Sequence, residues 1–339
     1  MTQWRMPAET APQEKVWMAF PAPGYSLGDT DAARDEARRT WAAVAHSICE
    51  FEPVTMLVDP DELPAARRYL SRDVEIVAAP LNDAWARDIG PTFVLDEDGT
   101  LGAVDWVFNG WGAASWARWD EDQHIGALIA ELSGAQRIDS PMVNEGGGIA
   151  VDGEGTVLLT ESVQLGEGRN ATWSREDVED ELRRTIGTDK AIWLPYGLTR
   201  DNQKFGTRGH VDIVAAIPSP GVVLVHDQQD PDHPDHAVSA RIREVIAAAE
   251  PGWQIVDVPA PTVLTDDEGP VDYSYINHLV INNAVIACSF DDPNDARAAA
   301  ILSEVYPGRE IRTVDARPLF ERGGGIHCIT QHQPAGRRI

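Results

Sequence analysis

The stretch Glu145-Gly146-Gly147-Gly148-Ile149 returns late in the chain as Arg322-Gly323-Gly324-Gly325-Ile326. Each copy stands directly before an apolar run that is typical of the first strand of a hairpin. Glycines at the start of a strand leave the backbone bare, so that another chemical group can approach it closely. The repetition indicates that the chain is built from related units whose strand starts serve more than packing.

An order of hairpin, helix and single strand recurs along the chain and predicts an α/β fold. The helix at 174–186 opens at a capping Ser174, carries apolar residues at helical spacing and stops at Gly187. Four such units are predicted. Their hairpin strands cover residues 92–95 and 102–108, 149–151 and 157–160, 211–217 and 222–225, and 276–281 and 285–290. Their helices cover 125–132, 174–186, 237–249 and 294–305, and their last strands 136–138, 191–194, 253–258 and 311–314.

A fifth unit requires residues from both ends of the chain. Its strands are predicted at 326–330, 16–20 and 54–58, with a helix over 31–50. Pairing the two ends would remove exposed sheet edges, which is the usual reason that propeller-like folds close in this way. The fold class we predict is therefore an α/β propeller of repeated ββαβ units, forming a single domain over residues 1–339.

Reactive side chains stand at the starts of these first strands. Because a ring places equivalent positions around one axis, we expect them to meet. The residues concerned are Asp88, Glu145, His210 and Cys328, with residues 275–278 at the remaining position.

Cys328 is the candidate nucleophile. A thiolate is the attacking form of cysteine, and a nearby histidine or cation is needed to produce it near neutral pH. On its own, Cys328 would more often be a small buried apolar residue; the glycines before it favour a functional role. Cys49 and Cys288 lie in a predicted helix and an apolar strand and are interpreted as core residues. His327 should point away from Cys328 if the segment is a strand.

His210 and Asp212 are two residues apart at a predicted strand start, which places them on one face. A base beside a carboxylate suits a site that moves protons and holds a cation. Asp88, with Trp85 close before it, could hold a guanidinium by a bidentate contact and an aromatic face. The alternatives are a structural hydrogen-bonded His210 and an ion pair between Arg87 and a nearby aspartate.

Charge and composition exclude several classes. A formal charge of −27 without a basic stripe argues against nucleic acid and acidic lipid as partners. No run of about 18 apolar residues appears, and no secretory signal opens the chain, so we expect a cytoplasmic protein. Three widely spaced cysteines suit neither a disulfide framework nor a zinc site. His233 and His236 stand in an acidic loop and are interpreted as surface residues.

At this point the residues resemble a known family, the agmatine deiminases of the guanidine-modifying superfamily. Several motifs in the same order carry the resemblance: Met6-Pro7-Ala8-Glu9, Trp85-Ala86-Arg87-Asp88-Ile89-Gly90-Pro91, Glu145-Gly146-Gly147 with Asp152-Gly153-Glu154-Gly155-Thr156, Gly209-His210-Val211-Asp212, and Ile326-His327-Cys328-Ile329-Thr330-Gln331. The resemblance implies a five-fold pseudo-symmetric propeller, the pentein fold, acting without metal or organic cofactor. It also implies a small cationic guanidino substrate.

The resemblance assigns roles to five residues. It implies that Asp88 and Asp212 hold the guanidinium, that Cys328 attacks its central carbon, and that His210 carries protons. Glu145 is implied to orient His210 and the substrate. The intermediate would be a covalent thiouronium, and agmatine would give N-carbamoylputrescine.

Two departures from the family pattern concern substrate binding. Gly325 stands where the family usually has Asn, and Gly206 stands where it has an acidic residue upstream of the histidine. With Lys204 and Arg208 nearby, the chain could prefer a guanidino compound that ends in a carboxylate. Alternatively these basic side chains face solvent, and Glu9 or Asp201 receives the amine of agmatine.

Three further functions stay open at this level. The chain could deiminate arginine or a guanidino acid, transfer an amidino group, or bind ligands on the same fold without catalysis. A homo-oligomer is compatible with the sequence, which does not fix the oligomeric state.

Overall fold

Strands and helices alternate along the computed structural model, which describes residues 2–203 and 205–337. The strands are β1 (Trp4–Arg5), β2 (Gln13–Ala19), β3 (Val54–Val58), β4 (Val74–Ala78), β5 (Thr92–Asp96), β6 (Leu101–Val107), β7 (Gln136–Val143), β8 (Ile149–Val151), β9 (Thr156–Thr160), β10 (Lys190–Leu194), β11 (Ala215–Ser219), β12 (Val222–Asp227), β13 (Gln254–Pro259), β14 (Thr265–Asp266), β15 (Gly269–Pro270), β16 (Leu279–Ile281), β17 (Ala284–Ser289), β18 (Glu310–Asp315) and β19 (Thr330–Pro334). The helices are α1 (Asp31–Cys49), α2 (Leu63–Tyr69), α3 (Ala86–Ile89), α4 (Gly110–Ala113), α5 (Ile125–Ser133), α6 (Glu161–Gln164), α7 (Arg175–Ile186), α8 (Pro234–Ala249), α9 (Asp295–Val305) and α10 (Arg317–Phe320). The fold is mixed α/β.

One sheet connectivity occurs five times within residues 2–203 and 205–337. An antiparallel pair comes first, and its second strand then pairs in parallel with the strand that follows the helix. The five sets are β5-β6-β7, β8-β9-β10, β11-β12-β13, β16-β17-β18 and β19-β2-β3. The predicted order of hairpin, helix and strand is therefore observed.

The two ends of the chain pair as predicted. β19 runs antiparallel to β2, with Thr330 opposite Met18 and His332 opposite Val16. β2 is thus paired on both sides, because its other edge bonds to β3 in parallel. A strand from the last residues therefore completes a sheet begun by the first.

Three predicted strands begin later than expected, among them β16, which starts at Leu279 instead of residue 276. The segment Val211–Ile213 is a single 3-10 turn closed by the Val214 amide on the Val211 carbonyl at 2.9 Å, and β11 starts only at Ala215. Residues 326–329 also form a turn, in which the Thr330 amide and hydroxyl both bond to the His327 carbonyl at 3.1 Å. His210, Asp212 and Cys328 therefore stand on turns before their strands, and the expected alternation of faces does not apply to them.

Local signals explain the helix ends. The Ser174 hydroxyl accepts from the Asp177 amide at 3.1 Å, and the Asp177 carboxylate accepts from the Ser174 amide at 2.7 Å. This capping box satisfies amides that the first turn leaves free, and Gly187 ends α7 in the left-handed conformation at φ 71°. Among the described residues, no helix combines the length and apolar character needed to cross a lipid bilayer.

The central strands carry the hydrophobic core, and a substitution at Met18 tests this assignment. Met18 lies in β2 and is fully buried. Met18→Ala should lower the free energy of unfolding by about 2–5 kcal/mol, because it removes buried methylenes and leaves a cavity. Denaturant unfolding measures this. Val107→Ala truncates an apolar side chain that is 42% exposed and should change the free energy of unfolding by less than about 1 kcal/mol. Equal effects would contradict the assigned core.

Candidate active site

The turns before the first strands bring the predicted reactive residues into one buried place. The Cys328 thiol is 5% exposed, and its Sγ lies 3.5 Å from Asp212 Oδ2. Asn277, from the turn before β16, places its side-chain nitrogen 3.2 Å from the same sulfur. The strands thus position the thiol, an acid and an amide from three different units.

Electrostatics favour the protonated form of this thiol in the free protein. Burial raises the pKa of Cys328 well above its ordinary value, and the carboxylates of Asp212 and Asp88 raise it further. A thiolate there would be a third negative charge in a dry site. A cation placed among these groups would reverse that effect, so the geometry favours ionisation of the thiol only after a positively charged ligand arrives.

His210 lies between two carboxylates. Its Nδ1 is 3.8 Å from Asp88 Oδ1, and its Nε2 is 3.4 Å from Glu145 Oε2. Burial by itself lowers the pKa of His210, but Asp88 and Glu145 outweigh it and raise the pKa to about 9. The ring therefore carries a proton at neutral pH. Within the described residues its Nδ1 has no hydrogen-bond partner, which leaves it free for a ligand.

The negative charge of Glu145 is compensated by an ion pair with Arg169. The Arg169 Nε lies 3.0 Å from both carboxylate oxygens, and the side chains of both residues are fully buried. Arg169 also donates to the Thr207 carbonyl at 2.7 Å. Burial raises the pKa of Glu145, but Arg169 and His210 outweigh it and lower the pKa overall. Sequence reasoning missed Arg169, since no motif links it to Glu145.

Asp88 sits at the other side of His210. It accepts hydrogen bonds from the Trp111 indole nitrogen at 2.9 Å and the Gly147 amide at 3.1 Å. Burial raises its pKa to about 6, a shift that His210 opposes and the Asp212 and Glu145 carboxylates support. A Cβ at Gly147 would lie 2.5 Å from His210 Nδ1 and 3.0 Å from Asp88 Oδ1. Position 147 must therefore be glycine, because any larger side chain would collide with His210 and Asp88.

Asp212 is held by His327. The His327 Nδ1 lies 2.8 Å from Asp212 Oδ2, and its Nε2 lies 2.7 Å from Glu9 Oε1. Burial raises the pKa of Asp212, but His327 outweighs it and the pKa falls below its ordinary value. The other oxygen, Oδ1, has no hydrogen-bond partner among the described residues. Asp212 is thus an ionised acid with one oxygen free.

A narrow cavity reaches Cys328. Aromatic rings and a glycine-bearing loop form its walls. Trp85, which the sequence predicted to bind the substrate, is one of these rings. The lining residues are Trp85, Asp88, Trp111, Trp116, Phe205, Gly206, Thr207, Arg322, Gly323 and Cys328. Trp111 and Trp116 stack at 5.2 Å between ring centres. Neither was anticipated, because a tryptophan-rich loop alone does not indicate a binding site.

Of the residues tied to the two departures, Gly206 lines this cavity, whereas Arg208 and Gly325 do not. Arg208 is exposed, has a left-handed backbone at φ 78° and is not among the residues that line the cavity of Cys328. Lys204 lies outside the described residues. Gly325 does not line this cavity; a Cβ there would lie 2.5 Å from Asn277 Oδ1, so the glycine makes room for the amide beside Cys328. 

Asp201 and Glu9, the two alternative receivers of an amine, both have partners. The Asp201 carboxylate accepts from the amides of Thr207, Gly209 and His210 at 2.7, 2.7 and 3.0 Å. Glu9 contacts His327 and faces a separate cavity with His278 and Tyr306. Asp201 therefore shapes the loop that leads into His210.

The remaining candidates from the sequence are structural. Cys288 is buried in β17 and donates to the Asn277 carbonyl at 3.1 Å, while Cys49 ends α1. The surface interpretation is wrong for His233, which is buried and caps α8 by accepting from the Asp235 amide at 3.2 Å. His236 is exposed, as expected.

A buried thiol, a protonated histidine and three carboxylates on a mixed α/β fold define the class of thiol-dependent hydrolases. Comparison with known proteins narrows this class. The family model described as Porphyromonas-type peptidyl-arginine deiminase matches residues 5–334. The chain therefore belongs to that family, whose members are hydrolases acting on C–N bonds.

Individual relatives cover nearly the whole chain. A Streptomyces coelicolor protein, named as a candidate agmatine deiminase, is 54% identical over 98% of this chain and 99% of its own length. The agmatine deiminase of Ectopseudomonas mendocina is 38% identical over 98% of this chain and 96% of its own. The structure of agmatine deiminase from Enterococcus faecalis aligns with a TM-score of 0.90 and 30% identity, covering 99% of this chain and 97% of that one.

The charge on His210 can be measured directly. Glu145→Gln should lower its pKa from about 9, because it removes one of the carboxylates that raise it. The ring would then lose its proton at lower pH. NMR titration of labelled histidine, assigned with His210→Gln, reports the value. Glu304→Gln, an exposed glutamate, serves as control and should leave it unchanged. An unchanged pKa in Glu145→Gln would contradict the assigned cause.

Proposed function

We propose that this protein is an agmatine deiminase, which converts agmatine and water into N-carbamoylputrescine and ammonia through a covalent intermediate on Cys328. One observation carries the proposal: a buried thiol lies 3.5 Å from the Asp212 carboxylate, with Asp88 lining the same cavity. Such a site is poor for a neutral ligand and well suited to a planar cation. The names of the relatives at 38% and 30% identity support agmatine as that cation.

Asp88 and Asp212 hold the guanidinium in this proposal. Asp88 is fixed by Trp111 and Gly147, and Asp212 is fixed by His327, so neither carboxylate must reorganise when the cation binds. The free oxygen of Asp212 is available to a guanidinium N–H. Two carboxylates on either side of one plane fix the orientation of the central carbon toward Cys328.

The cation then activates the nucleophile. Its positive charge offsets the two carboxylates that raise the pKa of Cys328, so the thiol releases its proton to water. The sulfur forms a bond to the central carbon and gives a tetrahedral adduct. His210, protonated in the free protein, transfers its proton to one amino group, and ammonia leaves with the electron pair of the broken C–N bond. A thiouronium on Cys328 remains.

The second half of the reaction returns the protein to its first state. The neutral His210 takes a proton from water as the water oxygen bonds to the thiouronium carbon. The C–S bond then breaks and its electrons return to sulfur, while the remaining hydroxyl proton is lost to water as the C=O group of the ureido product forms. After the product leaves, the sulfur takes up a proton from water and the thiol is restored. Glu145 supports both halves because it lies 3.4 Å from the His210 Nε2 and stabilises the charged ring.

We further propose that five ββαβ units form a five-fold propeller around this site within a single domain. The support is positional: Asp88, Glu145, His210, Asn277 and Cys328 each precede the first strand of a different sheet. Residues from five separate units converge on one centre in this arrangement only if equivalent ends of the sheets face a common axis.

The nucleophile is tested by comparing cysteines. Cys328→Ser should lower kcat/KM for agmatine at least about a thousandfold, since a hydroxyl of much higher pKa cannot replace the thiolate. Ammonia release and ureido product are both measured. Cys288→Ser and Cys49→Ser are the matched controls and should keep most activity. Wild type inactive toward agmatine, or Cys328→Ser with more than a tenth of wild-type activity, would sink the proposal.

A further inference from the structure

A second cavity adjoins the one that reaches Cys328. The two share Phe205, Gly206 and Gly323, so the second lies directly beyond the first. It has a volume of about 190 Å³. Its other described lining residues are Tyr25, Arg200, Asp201, Gln203, Glu268, Asp272, Phe320 and Glu321. We call it the outer chamber.

The outer chamber is acidic. Its described lining includes four carboxylates and one guanidinium. The guanidinium, Arg200, is already paired, with one nitrogen 2.6 Å from Asp266 and the other 2.9 Å from Glu268. Asp201 is bound by loop amides. The described lining of the chamber therefore has a net negative charge.

Asp272 is a buried carboxylate of the chamber that has no ion pair with another described residue. It is 8% exposed, and among residues 2–203 and 205–337 no other residue donates a hydrogen bond to its side chain. Burial, together with the nearby Asp201 carboxylate, raises its pKa to about 7, although Arg200 opposes the shift. A buried acid of this kind costs stability unless a cation compensates it. Its place in the chamber wall suggests that the cation is a ligand.

The loop cannot supply an acid at position 206. A Cβ at Gly206 would overlap the carbonyl of Asp201, so no side chain fits there without rebuilding the loop. The side chain of Asp272 approaches the same chamber from the segment before β16. A negative group is thus available, although from a different part of the chain than the family pattern led us to expect.

We propose that Asp272 is the specificity-determining residue that receives the distal ammonium of the substrate in the outer chamber. This rests on the proposed function, in which the guanidinium occupies the neighbouring cavity at Cys328. A butylene chain then passes between Phe205 and Gly323. A substrate with a distal carboxylate, such as 4-guanidinobutyrate, is rejected because the chamber repels it.

Two substrates separate this contact from the chemistry. Agmatine carries the distal ammonium, and n-butylguanidine has a methyl group in its place. Wild type should prefer agmatine in kcat/KM, and Asp272→Asn should lower kcat/KM for agmatine by about 10–100-fold, mostly through KM. The value for n-butylguanidine should change by less than about twofold. Glu321→Gln is the control, because it removes an equal charge from an exposed residue of the same chamber.

Stability gives an independent readout. Asp272→Asn should raise Tm at pH 8, since the carboxyl is ionised and uncompensated there, and the gain should shrink as pH falls below about 7. Equal losses with both substrates, or an unchanged agmatine preference, would overturn the role of Asp272 while leaving the deiminase activity intact. An effect of Glu321→Gln as large as that of Asp272→Asn would also overturn it. Wild type inactive on both guanidines would instead refute the proposed function and this inference with it.

Discussion

The active site depends on negative charge that the protein buries without fully compensating. Asp88, Glu145 and Asp212 surround one thiol and one histidine, and of the three only Glu145 has a permanent guanidinium partner, among the residues described. Carboxylates hold such positions only when the surrounding structure fixes them. Here the indole of Trp111, the Gly147 amide and the His327 ring do so. The missing positive charge is the one that the substrate brings.

Among the described residues, two buried arginines show how the protein divides charge between structure and function. Arg169 pairs with Glu145, behind His210, and Arg87 lies 3.6 Å from Glu9, behind His327. Each arginine pairs with a glutamate that contacts a histidine of the site: Glu145 contacts His210, and Glu9 contacts His327. Asp88 and Asp212, which face the thiol, are left to the ligand. The same arrangement keeps His210 protonated and Asp212 ionised before any ligand binds.

The sequence predicted the repeated units and the positions of the reactive residues because hydrophobic periodicity and strand starts are local signals. It placed Cys328, His210, Asp88 and Glu145 at equivalent points and Asp212 two residues after His210, and the structure brings these residues together. The prediction that a strand begins at Val211 was wrong, because residues 211–213 form a 3-10 turn that no pattern in the sequence indicates. Arg169 and Trp111 escaped notice because their importance comes from contacts with residues 24 and 23 positions away. Asn277 was not singled out from the stretch 275–278, because its contact is with Cys328, 51 positions away. Arg208 drew attention by its charge, but its orientation depends on a left-handed backbone angle that the loop imposes.

In the proposed reaction, a cation at this site turns Cys328 into a nucleophile that becomes covalently bound to the substrate carbon. Acid quenching of wild type during turnover of agmatine, followed by peptide mass spectrometry, detects this intermediate. We expect a mass increase equal to agmatine less ammonia on the peptide that carries Cys328, rising and decaying at the rate of turnover. Active turnover with no such adduct at any quench time, or with the adduct on Cys288, would contradict it.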